Sequence, residues 1–212
     1  MEGSVVQKMG RLVSNLATHP GYLRRYIKDN TRHWFAGATP LDLEIPWFSY
    51  AATDFLDTYL KPHMTAFEYG SGGSTIYLAK RIHSVTSIED NIAWFDIVSR
   101  RLHQQRLNNV TLTLQSFDFK HAAGFESSGY FQALGDETFD ILVIDGSEEW
   151  THVRPVCFRR AEERVKPGGI IVLDDSWRYR EPQRENKARH VESFVSTGPC
   201  RPGVTSTDVF FY

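Results

Sequence analysis

The chain has 212 residues, with 24 Lys and Arg against 26 Asp and Glu, for a formal net charge of −2. That length suits one domain with a sizeable core, and the balance argues against a nucleic-acid binder held by bulk charge. Cys157 and Cys200 form no CxxC and no disulfide framework, no apolar run reaches the roughly 18 residues of a membrane span, and the N-terminus lacks a signal-peptide core; a cytoplasmic protein with no membrane partner is expected.

Val5, Val6, Met9, Leu12, Val13 and Leu16 recur at helical spacing and predict a first amphipathic helix. His19-Pro20-Gly21 should end it. Residues 22–27 make another turn or two, and 30–46, with Gly37, Pro40 and Pro46, read as a loop. Residues 47–60 are again helical, and Lys61-Pro62 stops them. Residues 1–60 are therefore expected to be a helical flank or lid, and 61–212 the core.

From here strands and helices alternate. The strand through Phe67 is followed by a helix over 76–81, a strand over 84–88, and a helix over 91–105 capped by Asn91. A strand over 110–114 and a polar loop over 115–136 come next. The continuous apolar run 139–144 marks a strand covered on both faces. A helix is expected over 150–165, firm from Pro155, then a turn at 166–169 and a strand at 170–173. Residues 178–189 are highly charged and read as a connection, and 191–195 as a short helix. Residues 205–212 read as a closing strand, whose aromatic end, Val209 to Tyr212, is placed at a sheet edge where a homodimer could pair. The pattern predicts an α/β fold: a Rossmann-like, doubly wound, mostly parallel sheet with helices on both faces. Ligands of such sheets bind beyond the C-terminal strand ends. Glu68 to Gly73, Glu89, Asp118, Asp145 and Asp174-Asp175 all fall there.

Residues 65–75, TAFEYGSGGST, read as strand, glycine turn and helix start. Such a turn lets a ligand approach the main chain, beside the unpaired N–H groups of a helix N-terminus. A nicotinamide-binding turn would read GxGxxG, but Thr75 stands where the third glycine belongs. Glu68 is a poor neighbour for a pyrophosphate and suits an ammonium or sulfonium. Glu89 can accept two ribose hydroxyls.

In this order and spacing, EYGSGGST, SIED, SFD, DILVIDG and VKPGGIIVLDD resemble the motifs of the class I S-adenosylmethionine-dependent methyltransferases, over about residues 47–175. The resemblance implies that Glu68 holds the methionine ammonium, directly or through water. It implies that Gly70, Ser71 and Gly72 pass close to the methionine part, that Glu89 binds the ribose, and that Asp118 contacts the adenine edge. Ser87, Ile88 and Phe117 would line the adenosine walls. Asp145 lies beside the expected methyl position, bordering the cofactor. The acids Asp145, Asp174 and Asp175 are also similar to the Mg²⁺ ligands of catechol-type and sugar O-methyltransferases, although Asp-Asp replaces Asp-Asn after the fifth strand. Asp145 and His152 are the candidate catalytic groups, His152 as base, with His121 a further histidine near the expected site. Trp177 and His190 could line a substrate pocket, and Trp34, Trp47 and Trp150 could wall it. A small-molecule hydroxyl is the expected acceptor, with no nucleic-acid partner. The alternatives are an RNA or protein acceptor, drawing on Arg24, Arg25, Lys28 and the basic residues of 178–189, and an NAD(P)-dependent oxidoreductase or non-catalytic nucleotide-binding module.

Overall fold

The alternating pattern that begins at Thr65 builds one seven-stranded sheet. The computed structural model describes residues 4–121, 123–146 and 153–212. Its strands are β1 (Thr65–Tyr69), β2 (Ser84–Glu89), β3 (Val110–Leu114), β4 (Phe139–Ile144), β5 (Val165–Asp174), β6 (His190–Thr197) and β7 (Val204–Phe211), in spatial order β3-β2-β1-β4-β5-β7-β6. The first five are mutually parallel, and β7 runs antiparallel between β5 and β6. The order reverses between β1 and β4, so the crevice of a doubly wound sheet opens there.

Side-chain parity divides the core. Phe67, Tyr69, Leu142, Ile144, Ile171, Leu173 and Phe210 pack on one face; Ala66, Ile141, Val143, Ile170, Val172 and Val209 pack on the other. Successive strand residues point to opposite faces, so a strand buried on both sides reads as an unbroken apolar run. Leu142 and Ile144 are wholly buried, and truncating either to alanine would cost about 2–5 kcal/mol.

Helices α1 (Val5–Thr18), α2 (Pro20–Ala36), α3 (Pro40–Leu43) and α4 (Tyr50–Tyr59) precede the sheet; α5 (Gly73–Ala79), α6 (Ile92–Gln104), α7 (Gly129–Gln132), α8 (Arg154–Ala161) and α9 (Arg180–Arg184) lie between strands. Asn91 caps α6, its Oδ1 accepting the Trp94 N–H at 3.0 Å. The helix α1 is tied to the sheet through Asn15, whose Oδ1 accepts the Thr197 N–H at 3.0 Å. The short α3 packs on the start of α5 at a glycine: a Cβ on Gly73 would stand 2.1 Å from the Ile45 carbonyl oxygen.

Several local expectations are corrected. Residues 30–36 are not loop: α2 continues to Ala36, where Gly37 at φ 65° ends it in the left-handed conformation. The buried Asn30 holds it there, accepting the Arg201 N–H at 2.8 Å through Oδ1. Residues 191–195 are strand, not helix. Val191 packs with one face of the sheet and Phe194 with the other, which is a period of two. β7, with Val209 and Phe210, is an inner strand; the edge beside it belongs to β6. The expected helix over 150–165 is α8, ending at Ala161, and Val165 already belongs to β5. The stretch after Asp175 is a 3-10 turn, Ser176–Arg178, followed by α9. It is fastened by the buried Asp208, whose carboxylate accepts from Ser176, Ser193 and Gln183 at 2.7–2.8 Å.

Candidate active site

A cavity of about 820 Å³ opens at the C-terminal ends of β1, β2, β4 and β5. That is within the roughly 300–1,000 Å³ of small-molecule sites. The topology divides its wall. Gly70, Ser71, Ser74, Glu89, Asp90, Asn91 and Trp94 line the β1–β2 side; Asp174, Asp175, Trp177, Arg178 and Arg201 line the β5 side; Asp145, Gly146 and Arg154 stand between. Lys8 and Arg11 reach in from α1, and Trp47 from the segment before α4.

The glycine turn must be glycine at its first position. Gly70 has φ 94°, and a Cβ there would meet the Asp145 carbonyl oxygen and Gly146 Cα, each at 2.9 Å. The close crossing of the β1 and β4 ends brings Ser71 and Asp145 to one cavity.

Glu68 lies beneath the turn. It is 1 % exposed and does not line the cavity. Its Oε2 accepts from Thr75 Oγ1 at 2.6 Å, and that oxygen accepts the Gly72 N–H at 2.9 Å. Thr75, where a dinucleotide turn has glycine, thus links the buried acid to the turn. Oε1 has no hydrogen-bond partner among the described residues. Burial pushes the Glu68 carboxyl up to about 7, opposed by the nearby hydroxyls of Ser74, Thr75 and Ser87.

Glu89 is held from both sides. Oε2 accepts from Ser71 Oγ at 2.6 Å and Ser71 N at 3.2 Å; Oε1 accepts the N–H groups of Asp90 and Asn91 at 3.1 and 3.0 Å. Trp94 Nε1 donates to the Ser71 carbonyl at 2.9 Å, closing the wall. Asp118 does not line the cavity. Its side chain is 65 % exposed, accepting the Lys120 N–H at 3.0 Å and lying 3.1 Å from His121 Nδ1. Ser87 supports the turn, donating to the Gly70 carbonyl at 2.9 Å. Ile88 and Phe117 pack in or against the core.

The three acids expected to hold Mg²⁺ instead face arginines. Arg154 Nη2 is 3.1 Å from Asp145 Oδ1, Arg201 Nη2 is 3.8 Å from Asp174 Oδ2, and Arg201 Nη1 is 3.1 Å from Asp175 Oδ1. Arg178 adds a second guanidinium to Asp175 at 3.4 Å. Thr207 Oγ1 donates to Asp174 at 2.7 Å and Thr205 Oγ1 to Asp175 at 2.8 Å. Among the described residues no group of three His, Cys, Asp or Glu could hold a metal ion. The expected Mg²⁺ ligands do not fit a cation, because guanidinium groups already neutralise them. A hard dication needs several free oxygen ligands.

Asp174 is 2 % exposed, and its carboxyl is raised by burial and then by the charge of Asp145, against Arg201. Asp145 keeps 24 % of its side chain exposed at the cavity. Desolvation raises it and Arg154 opposes the rise. Asp175 is lowered; burial is the largest influence and acts the other way, but Arg201, Thr205 and Arg178 together outweigh it.

His152 and Trp150 lie outside the described residues. Trp47 and Trp177 line the cavity; Trp34 and His190 do not. Arg154, Arg201 and Lys8 were not singled out from sequence. Arg201 stands in a PCRPG turn, a pattern that marks a bend but no ligand. Of the basic residues of 178–189, Arg178 is on the cavity wall and pairs with Asp175.

A glycine turn, an acid at the end of β2 and a cavity at the switch point make the ligand-binding crevice of a Rossmann-like sheet. Residues 67–176 match the methyltransferase domain family, and the chain belongs to it. Among curated proteins no sequence match is found. The fold is similar to that of an O-methyltransferase from Bacillus cereus in complex with S-adenosylhomocysteine, at 16 % identity and TM-score 0.57, over 88 % of this chain and 97 % of that one. It is also similar to a precorrin-6y C5,15-methyltransferase from Geobacter metallireducens (16 % identity, TM-score 0.54, 76 % and 86 %) and an rRNA methylase from Streptococcus thermophilus (14 %, 0.54, 76 % and 92 %). No helix among the described residues is long and apolar enough to cross a membrane.

Proposed function

We propose that this methyltransferase acts on a hydroxyl of a small molecule, without a metal. The observation that supports this reading is the pairing of Asp145 with Arg154 at the cavity floor. A hydroxyl is a weak nucleophile and must lose its proton. Asp145 is an oriented carboxylate, open to the cavity and raised above the ordinary range, which makes it a better proton acceptor than a surface aspartate. S-adenosylmethionine, when bound, supplies a sulfonium methyl whose C–S bond breaks as the C–O bond forms, with sulfur keeping the bonding pair.

The chain's own residues align and dry the site, as methyl transfer requires. Gly70, Ser71 and Gly72 would pass beside the methionine part, and Glu89 would take the ribose hydroxyls once Ser71 releases its Oε2. Glu68 would act from beneath by fixing the turn through Thr75. Asp118, exposed and off the cavity wall, takes no part in this reading. Arg154, Arg178 and Arg201 at the cavity each stand beside an acid.

Calorimetry and thermal shift with S-adenosylmethionine, S-adenosylhomocysteine, NAD and NADP test the reading side by side. Binding of the first two alone is the expected result. Folded protein that binds neither would overturn it. Salt-dependent retention on RNA at low salt would move the acceptor to RNA.

A further inference from the structure

Among the described residues, basic side chains outnumber acids on the β5 side and floor of the cavity. Lys8, Arg11, Arg154, Arg178 and Arg201 line this side and the floor, against Asp145, Asp174 and Asp175. Each of those acids is already engaged. Arg154 takes Asp145, Arg201 takes Asp174, and Asp175 is shared between Arg201 and Arg178. Three guanidiniums are thus matched by three carboxylates, and the ammonium of Lys8 stands at the cavity with no acid beside it among the described residues. Among the described residues, the other acids of the wall, Glu89 and Asp90, stand across the cavity at the end of β2.

Two indoles stand on the same side. Trp47 lies under Arg201, whose guanidinium carbon is 5.5 Å from the ring centroid, and Trp177 lies under Arg178 at 5.1 Å. Both line the cavity and Trp47 is 47 % exposed. Flat apolar faces topped by guanidinium groups suit a flat ring with an acidic substituent: the ring packs on the indole, and the anion meets the cation at its edge.

We infer that the methyl acceptor is a hydroxylated ring carrying an anionic group, with the ring between Trp47 and Trp177 and the anion at Arg178 and Lys8. This rests on the methyl-transfer reading above and names the substrate class for the same site. The hydroxyl end would then face Asp145 at the floor, and the anion the rim formed by α1 and the turn after β5. The helix α1 is therefore part of the acceptor site, held over the sheet by Asn15 and Thr197.

The test uses the full chain saturated with S-adenosylhomocysteine. A panel of hydroxybenzoates and hydroxycinnamates is titrated calorimetrically, each beside its own primary amide, which keeps the ring and hydroxyl but removes the charge. At least one acid should bind about tenfold more tightly than its amide, the size expected of a charge-assisted contact, and the preference should shrink as salt rises. In the double variant Lys8→Gln with Arg178→Gln the preference should fall to within about threefold, with the affinity for S-adenosylhomocysteine unchanged. Acids that bind no better than their amides, a panel in which nothing binds, or a preference that survives the double variant would each overturn the inference. Failure of S-adenosylhomocysteine itself to bind is a different result, and would overturn the methyl-transfer reading beneath it.

Discussion

Arg154 reaches across the end of β4 so that its Nη2 lies 3.1 Å from Asp145 Oδ1 and 3.3 Å from the carbonyl oxygen of the same residue. Its Nε donates to the Gly146 carbonyl at 2.9 Å and its Nη1 to the Asp174 carbonyl at 3.0 Å. One planar fork therefore ties the ends of β4 and β5 and orients an acid on the cavity floor. Lysine has no such fork. Arg154→Ala should lower stability by about 3 kcal/mol, less than a fully buried pair because Asp145 is partly exposed. Arg154→Lys should recover part of the stability but not the turnover. Denaturant melts and steady-state kinetics check both; full turnover in Arg154→Lys would show that the fork does not orient the base.

The arginines also predict indifference to metal. Adding Mg²⁺ or EDTA should leave the melting temperature and the affinity for S-adenosylhomocysteine unchanged. Activity lost with EDTA and restored by Mg²⁺ would show that a cation can displace the guanidinium groups.

Glu89 and Ser71 should separate in binding. Glu89→Ala removes a charged acceptor and should weaken S-adenosylmethionine by roughly 10- to 100-fold, the equivalent of about 1.5–3 kcal/mol. Ser71→Ala removes the hydroxyl that occupies Glu89 Oε2 at 2.6 Å, so affinity should hold or improve. Calorimetry on both variants checks this; an equal loss in the two would mean that Ser71 itself carries a ligand contact.

Glu68 sets a pH dependence with a definite sign. Its carboxyl rises from the ordinary 4.5 to about 7 in the folded chain because it is buried. The folded state therefore holds a proton that the unfolded state has released. The resulting stability is fully present below about pH 4.5 and is lost as the pH climbs through about 7, a change on the order of 3 kcal/mol. Glu68→Gln keeps an acceptor for Thr75 and should flatten this slope. Urea melts between pH 4.5 and 8 measure it, and an unchanged slope in the variant would assign the pH dependence to other groups.

Much of the frame was legible in the chain. The unbroken apolar run at β4 requires burial on both faces, and Leu142 and Val143 pack on opposite sides of the sheet as that run demands. The glycines before α5, with Glu89 19 residues after Gly70, announced the turn and its partner acid. Less legible were elements whose state depends on a neighbour. HVESFVST has apolar residues that fit a helix or a strand, and pairing with β7 over eight residues decides for strand. The continuation of α2 to Ala36 depends on Asn30 meeting the 198–201 loop, 168 or more residues away in sequence.

The sequence by itself determined the parallel sheet, the glycine turn and which acids stand at the strand ends, because periodicity and turn chemistry are local. Only the tertiary structure decided what those acids do. Asp145, Asp174 and Asp175 read alike along the chain, as three carboxylates fit for a cation. Folding brings Arg154, Arg201 and Arg178 onto them, and Coulomb attraction in a desolvated crevice fills with guanidinium groups the place a metal was expected to take.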